Sequence, residues 1–490
     1  MAEPTQKIKV GMVNMDTRTI FEAKHSVKQN GAVEIVPVRF ARVATKKWED
    51  FFPEWIDEEK WSPPSCPEIP LPSRMEEEYG DLDVIVVQVP CGARRRVGSR
   101  DVFRLQVNLV VANLAVAGGV DRTVYIVFVG SCGPMIEIFR CDDLLTHVGD
   151  FWVYKPDLRR LRQKVLMPVG SCKIAPLLLG ETGKQVSMTQ SRQLWNLNYS
   201  TNHQREAYVT VLHSSEDYVC GAIALAQSII KSNSTKDLVL LHDKLITVKS
   251  VEGLRAAGWK TRLIERIRSP LAKKGSYNEY NYSKLRIWQL IDYDKLIFID
   301  SDIIVLKNID KLFTYPQLSA SPNDKFLFNS GIIVLEPSLR TFDYLMSKIP
   351  RLDSYNGGDQ GFLNEAFTWW HRLPTKLNYL KIFERSKNNE DNEIPSDVHT
   401  IHYLGWKPWM CYRDYDCNWD MKDRHIFASD SAHKIWWQVY GLFMPKELQQ
   451  FCALSKEDDA RIKKHRKRAK TANLQDGHWR IIVQDPRKDN

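Results

Sequence analysis

From about residue 206 to 367, short apolar runs alternate with stretches of helical period, a pattern that restricts the chain to an α/β sheet with crossover helices. Strands are expected at 208–212, 238–241, 296–299, 303–305 and 332–335, and helices at 218–231, 251–257, 339–347 and 360–367. The sum is a doubly wound sheet, in which ligands gather beyond the carboxyl ends of the strands.

Upstream, apolar runs at 8–13, 84–89 and 124–129 with a helical stretch at 105–117 indicate a smaller α/β module, interrupted by a Pro- and Trp-rich excursion over 53–73. Residues 181–203 are polar and aperiodic. The organisation expected is an amino-terminal module over 1–180, a linker over 181–203, the main domain over 204–425 and a carboxyl-terminal extension with a basic segment over 426–490.

Composition excludes several classes. Lysine and arginine exceed aspartate and glutamate by 69 to 60, but RIKKHRKRAK at 461–470 supplies most of the surplus and reads as a solvated or disordered segment, so no nucleic-acid partner is expected. Nine scattered cysteines without CxxC spacing indicate neither a structural zinc site nor a dense disulfide framework. The apolar stretch 105–120 contains Gln106, Asn108 and Asn113 and falls short of the roughly 20 residues a membrane span needs, so it reads as a buried helix.

The chemistry concentrates in KLIFIDSDIIVL. Asp300 and Asp302, with Ser301 between them, follow an apolar run directly, and carboxylates at a buried strand end are costly unless paired or bound to a cation. A divalent ion resolves that cost and can bridge a diphosphate. D-x-D occurs four times in the chain, at 81/83, 292/294, 300/302 and 414/416, so context has to choose. The first two pairs precede apolar runs, as turn acids do; 300/302 stands at a strand's end. Asn329-Ser330-Gly331 reads either as a strand-entry turn or as small residues letting a hydroxyl-rich ligand approach. Asn356-Gly357-Gly358-Asp359-Gln360 opens a helix, where Asp359 alone reads as a helix-start acid. In His402-Tyr403-Leu404-Gly405-Trp406-Lys407, an imidazole can complete a carboxylate metal shell and a lysine can reach a diphosphate.

Taken in order, DSD, NSG, GGDQG and HxxG-x-K-P-W resemble the glycogenin-like retaining glycosyltransferases over about residues 204–425. WWHRLPTKLNYLK, HYLGWKPWMCYRDYDCNWD and WRIIVQDPR are similar to the plant branch that adds glucuronic acid to xylan. The resemblance implies a GT-A type, Rossmann-like nucleotide-sugar domain preceded by the smaller α/β module. It implies that Asp300, Asp302 and His402 hold Mn²⁺, that Gly405 and Lys407 contact the diphosphate, and that Tyr218 meets the uridine. Lys284, Asn329, Ser330, Asn356, Asp359 and Gln360 would surround the donor sugar, Asp359 and Gln360 being the catalytic pair, and Lys284 and Arg286 are candidates for the sugar carboxylate. Two positions depart from glycogenin: one residue rather than two separates Gly405 from Lys407, and Asn356 replaces an aspartate.

The implied reaction is transfer of glucuronic acid from UDP-glucuronate to xylan in the Golgi apparatus, with membrane association only through an amino-terminal anchor that this sequence does not carry. The alternatives are a glycogenin-like or inositol phosphorylceramide acceptor on the same domain, and a non-catalytic sugar-binding scaffold.

Overall fold

The computed structural model describes residues 7–27, 32–43, 46–51, 67–91, 101–167, 174–175, 205–324, 326–383, 392–474 and 477–489. The expected linker at 181–203 and residues 53–66 of the Pro-rich excursion lie outside them.

Apolar alternation in the first segment produces four parallel strands, β1 (Ile8–Val13), β2 (Val33–Pro37), β3 (Val84–Gln88) and β4 (Tyr125–Val129). A hairpin that the sequence pattern did not announce, β5 (Leu144–Val148) and β6 (Phe151–Tyr154), extends the sheet to the order β2-β1-β3-β4-β6-β5. The helix Val102–Ala117 lies buried against this module, and its polar residues have structural work: Gln106 accepts from Val43 N and donates to Ala41 O and Pro70 O, and Asn108 accepts from Met135 N. Each amide ties a loop backbone to the core, which is how polar groups persist there. Among the described residues no helix is long and apolar enough to cross a membrane.

The second sheet contains seven strands in the order β14-β12-β13-β10-β7-β8-β9. Its parallel members are β7 (Glu206–Leu212), β8 (Asp237–His242), β9 (Lys260–Leu263) and β10 (Lys295–Ile299). β13 (Phe328–Leu335) runs antiparallel between β10 and β12 (Ser319–Pro322), so the sheet is mixed rather than uniformly doubly wound; β14 (His371–Arg372) closes the edge. β13 begins four residues earlier than the apolar run suggested, because Asn329, Ser330 and Gly331 are strand residues buried beside β10, not an entry turn. A three-stranded sheet of β11 (Ile303–Val305), β15 (Tyr379–Leu380) and β16 (Thr400–His402) stands at the carboxyl end of β10. This is the α/β, GT-A type arrangement that the resemblance implied.

The two sheets share one hydrophobic core. Arg140 bonds Glu336 at 2.6 Å across the junction, both side chains being buried, and Glu137 accepts from Thr368 Oγ1 and Trp369 N.

One expectation fails in the carboxyl-terminal half. The basic run belongs to a helix, Lys456–Ala472, whose Ile462 and Ala469 are buried while its cations point outward or dock: Arg466 reaches Asp420 at 3.3 Å, and Arg461 lies 4.7 Å from the centre of the Trp406 ring. Net charge hid a helix with a single narrow apolar stripe. The cysteines, whose pairing the sequence leaves open, form Cys91–Cys132, Cys220–Cys452 and Cys411–Cys417 among the described residues. Partners 41 and 232 residues apart are joined by the fold, and spacing carries no trace of that. Cys220–Cys452 pins the carboxyl-terminal segment to the helix Val219–Lys231, beside the packing of Trp436 on Trp409. Replacing both Cys220 and Cys452 by alanine is expected to destabilise the chain by about 2–5 kcal/mol, read as a lowered denaturation midpoint by tryptophan fluorescence. An unchanged midpoint would show that packing alone holds the segment.

Candidate active site

β10 is Lys295 followed by the apolar run LIFI, buried throughout, and Asp300, Ser301 and Asp302 form the turn immediately beyond it. Asp300 N donates to Gly331 O at 2.9 Å and Ile303 N to Asp300 O at 3.1 Å, anchoring the turn to β13 and to itself. Helix Val219–Lys231 passes directly beneath: a Cβ on Gly221 would stand 2.5 Å from Ser301 O, a contact that excludes any larger residue. Ser301 is buried there.

β11 leaves the turn and pairs with β16 so that Ile303 lies opposite His402, which carries the imidazole to the acids. Asp300, Asp302 and His402 each offer a ligand atom, all within 4.8 Å of one another. A Cβ on Gly331 would meet His402 Cε1 at 2.5 Å; the glycine makes room for the imidazole, a use the sequence reading did not foresee. His402 Nε2 stands 3.3 Å from Asp302 Oδ1, and its Nδ1 is buried without a hydrogen-bond partner.

Two buried lysines face these acids. Lys284 Nζ lies 2.5 Å from Asp359 Oδ2, 3.3 Å from Asp300 Oδ1 and 3.2 Å from Ser330 O and Oγ. Lys407 Nζ lies 2.6 Å from Asp302 Oδ2 and also donates to Tyr403 O. Burial pushes the Asp300 carboxyl above its ordinary range, more than Lys284 lowers it, and the neighbouring Asp302 adds to the rise. Burial acts the same way on Asp302, but Lys407 and His402 outweigh it and hold that carboxyl below the ordinary range. Burial alone would lower both lysines; Asp300 and Asp359 raise Lys284, and Asp302 raises Lys407. Three carboxylates therefore face two ammonium groups, and the cluster keeps a net negative charge beside an imidazole with an unused nitrogen. That donor set suits a divalent cation.

The residues that the resemblance puts around the donor sugar lie close together. Ser330 Oγ donates to Asp359 Oδ2 at 2.9 Å, and Ser330 N to Gln360 Oε1 at 3.1 Å. Gln360 Nε2 is held by the Tyr355 hydroxyl at 2.5 Å and by Asn323 Oδ1 at 3.3 Å. Asn329 Oδ1 accepts from Gly331 N and from Asn378 Nδ2. Asn356 Oδ1 is committed to its own turn, taking Gly358 N, Gly361 N and Ser354 Oγ, and its amide nitrogen is what remains for a ligand. Gly357 has φ 69° in this turn, and Gly358 passes close to Asn278. Tyr218 sits edge-on to Trp409, with Lys407 Nζ 5.9 Å from its ring centre. Gly405 has φ 79°, a conformation that lets the chain turn back so that Lys407 points at Asp302.

Arg286 does not join the site. It donates to Glu265 O and Gln289 Oε1 and lies 5.4 Å from the Phe342 ring, because two residues along a helical turn of three residues point about 120° apart. The other D-x-D pairs are structural: Asp83 accepts from Lys9 N, Asp294 from Arg205 N, and buried Asp416 pairs with Lys381 at 2.7 Å. Sequence reasoning missed Asn323, Asn378 and Gly221, which carry no motif. It also missed Asp243, which accepts from Ser214 N at 2.9 Å and pairs with Arg266 at 3.3 Å beyond the carboxyl ends of β7 and β8.

The chain is similar to known proteins along nearly its whole length. Residues 1–172 match the family described as GUX1-5 N-terminal domain, and residues 209–320 match Glycosyl transferase family 8. UDP-glucuronate:xylan alpha-glucuronosyltransferase 2 of Arabidopsis thaliana is 50% identical over 98% of this chain and 81% of its own length; alpha-glucuronosyltransferase 1 of the same set is 46% identical over 98% and 72%. Two further Arabidopsis sequences of this set are 55% and 53% identical over 99% of the chain. Inositol phosphorylceramide glucuronosyltransferase 1 matches at 37% identity over only 35% of the chain and 32% of its own length. Among solved structures, galactosyltransferase LgtC with donor and acceptor sugar analogs is 16% identical, with 50% of this chain and 99% of that one covered, at a TM-score of 0.37. On identity and coverage together, the chain belongs to the UDP-glucuronate:xylan alpha-glucuronosyltransferase family, within glycosyl transferase family 8.

Proposed function

We propose that the chain transfers glucuronic acid from UDP-glucuronate to xylan with retention of configuration, using Mn²⁺ held by Asp300, Asp302 and His402. The observation that carries the reading is the convergence of those three side chains with Lys284, Lys407 and Asp359 at the carboxyl end of β10. Donor and acceptor follow from the names of relatives sharing 46–50% of their residues over 98% of the chain. An inositol phosphorylceramide acceptor is disfavoured by the short reach of that similarity, and a non-catalytic scaffold by the intact charged cluster.

When bound, the ion supplies positive charge to the diphosphate as the glycosidic bond breaks. The chain's own residues do the rest. Lys407, within reach of the same diphosphate, offers a second positive charge to the leaving oxygen. Lys284 and Ser330 fix the Asp359 carboxylate by one oxygen, leaving Oδ1 without a partner among the described residues. A carboxylate so held is placed to stand as a fixed charge beside an oxocarbenium-like centre. The acceptor hydroxyl then attacks on the face of the leaving diphosphate, whose own oxygen receives the proton. Gln360, held by Tyr355 and Asn323, orients the sugar. The disulfides support placement in an oxidising compartment such as the Golgi lumen.

Asp300→Asn and His402→Ala are each expected to lower UDP release from UDP-glucuronate and xylo-oligosaccharides by roughly 100-fold or more, with the fold retained by circular dichroism. EDTA should do the same to the unmodified chain and Mn²⁺ should reverse it; undiminished turnover in EDTA overturns the metal assignment. Proton NMR of fresh product is expected to show an α linkage, and a β linkage refutes retention. Asp359→Asn should cost about 100-fold in kcat, whereas near-normal turnover removes its charge from the mechanism.

A further inference from the structure

A cavity of about 1010 Å³ lies where the amino-terminal sheet meets the catalytic domain, apart from the cluster at β10. One wall is formed by the residues that follow β3 and β4, Pro90 and Cys91 on one strand and Ser131 to Ile136 on the other. That is the carboxyl end of a parallel sheet, the edge at which open α/β sheets bind ligands. The opposite wall is the helix Leu339–Lys348 with Arg351 just beyond it. Junctions between domains are frequent ligand sites, and the volume matches a ligand of several sugar or nucleotide units.

Four cations, Arg104, Arg340, Lys348 and Arg351, and three carboxylates, Glu137, Asp343 and Glu365, line this space. Arg104, Lys348 and Arg351 converge on it. Burial and then the proximity of Arg351 and Arg104 hold the Lys348 ammonium below its ordinary range, so these cations share one field. Among the described residues neither Lys348 nor Arg351 pairs with a carboxylate; Lys348 rests 4.8 Å from the Tyr344 ring centre, and Arg104 donates to the carbonyls of Cys132, Gly133 and Pro134. Glu137, which also borders the cavity, is bound to Thr368 and Trp369. The helix dipole accounts for Lys348 in the last turn and Arg351 just after it, but not for Arg104, which the helix Val102–Ala117 brings to the same wall. With no carboxylate of the described residues paired to them, Lys348 and Arg351 are the two lining cations left to meet an anionic group in the cavity.

We propose that this cavity is a second binding site, for a saccharide bearing an anionic group, with Lys348 and Arg351 as its recognition pair. The reading that the chain makes glucuronate-bearing xylan, on which this rests for the ligand's source, supplies one such saccharide: a chain already carrying a uronate branch. A sugar nucleotide, with phosphate in place of carboxylate, shares the chemistry. The site would then hold an acidic branch while the catalytic cluster acts elsewhere on the acceptor.

The full chain should be titrated by calorimetry with a glucuronate-substituted xylo-oligosaccharide, its unsubstituted counterpart and UDP, beside a Lys348→Met/Arg351→Gln variant that keeps the aliphatic stems. The substituted oligosaccharide is expected to bind at least about tenfold more tightly than the unsubstituted one, and the variant to lose that difference. Transfer to short unsubstituted acceptors should be unchanged in the variant, which also shows that it folds. If UDP rather than the uronate loses affinity in the variant, the anionic site stands and its ligand is a nucleotide. Equal binding of all probes by the variant and the unmodified chain overturns the site, even where transfer is normal; a chain that binds the charged oligosaccharide yet transfers nothing overturns the proposed reaction and leaves the cavity standing.

Discussion

The buried ionic cluster at the end of β10 is the constraint on which the rest of the structure depends. Carboxylates taken out of water cost several kcal/mol each unless their partners are held in place, and removing one partner from such a set costs about 3–5 kcal/mol. Lys284 and Lys407 come from segments 123 residues apart in sequence, and each must arrive with its ammonium within hydrogen-bonding distance of a different aspartate. The mixed order of the large sheet follows from this demand. Antiparallel β13 lies against β10, so Ser330 meets both Lys284 and Asp359, while β11 and β16 fold over the turn and deliver His402.

The surrounding parts brace this arrangement. The amino-terminal module shares the catalytic domain's core and clamps it through Arg140 and Glu336, and Lys295 at the base of β10 reaches toward the same glutamate at 3.8 Å. One buried carboxylate thus receives cations from both units, and the register of β10 is tied to the junction. At the other end, Arg487 donates to the carbonyls of Trp409, Cys411 and Cys452, binding the chain's last turns to the segment that follows Lys407.

Much of this was legible because burial and chemistry coincide in the sequence. An apolar run that stops at DSD announces a strand end, and the structure puts β10 there with Asp300 and Asp302 at its tip. The helices at 102–117 and 219–231 were read from apolar content to within a few residues. What stayed hidden depends on contacts between distant segments. The disulfides, the β5–β6 hairpin and the roles of Asn323 and Asn378 are set by tertiary approach, which no local period encodes. Gly331 looked like a residue that opens space for a ligand; the His402 ring occupies that space, and only the register of β16 could show it. The basic helix failed for a different reason, since seven cations in ten residues mask an apolar stripe as narrow as Ile462 and Ala469.

The shortened spacing between Gly405 and Lys407 shows how the carboxyl-terminal segment and the catalytic cluster depend on each other. With a single intervening residue, the lysine has little slack with which to find Asp302, so the residue between has to be fixed from outside. Trp406 is that residue. Its backbone N and O are both taken by the Asn418 side chain, and its indole nitrogen donates to Met410 O at 2.6 Å. Arg424 and Arg461 lie 5.5 and 4.7 Å from the centre of the same ring. Asn418 is in turn set by Asp416, whose burial is made tolerable by Lys381. The outer helix, the Cys411–Cys417 loop and the Asp416–Lys381 pair thus converge on one tryptophan, and through it they set where Lys407 points.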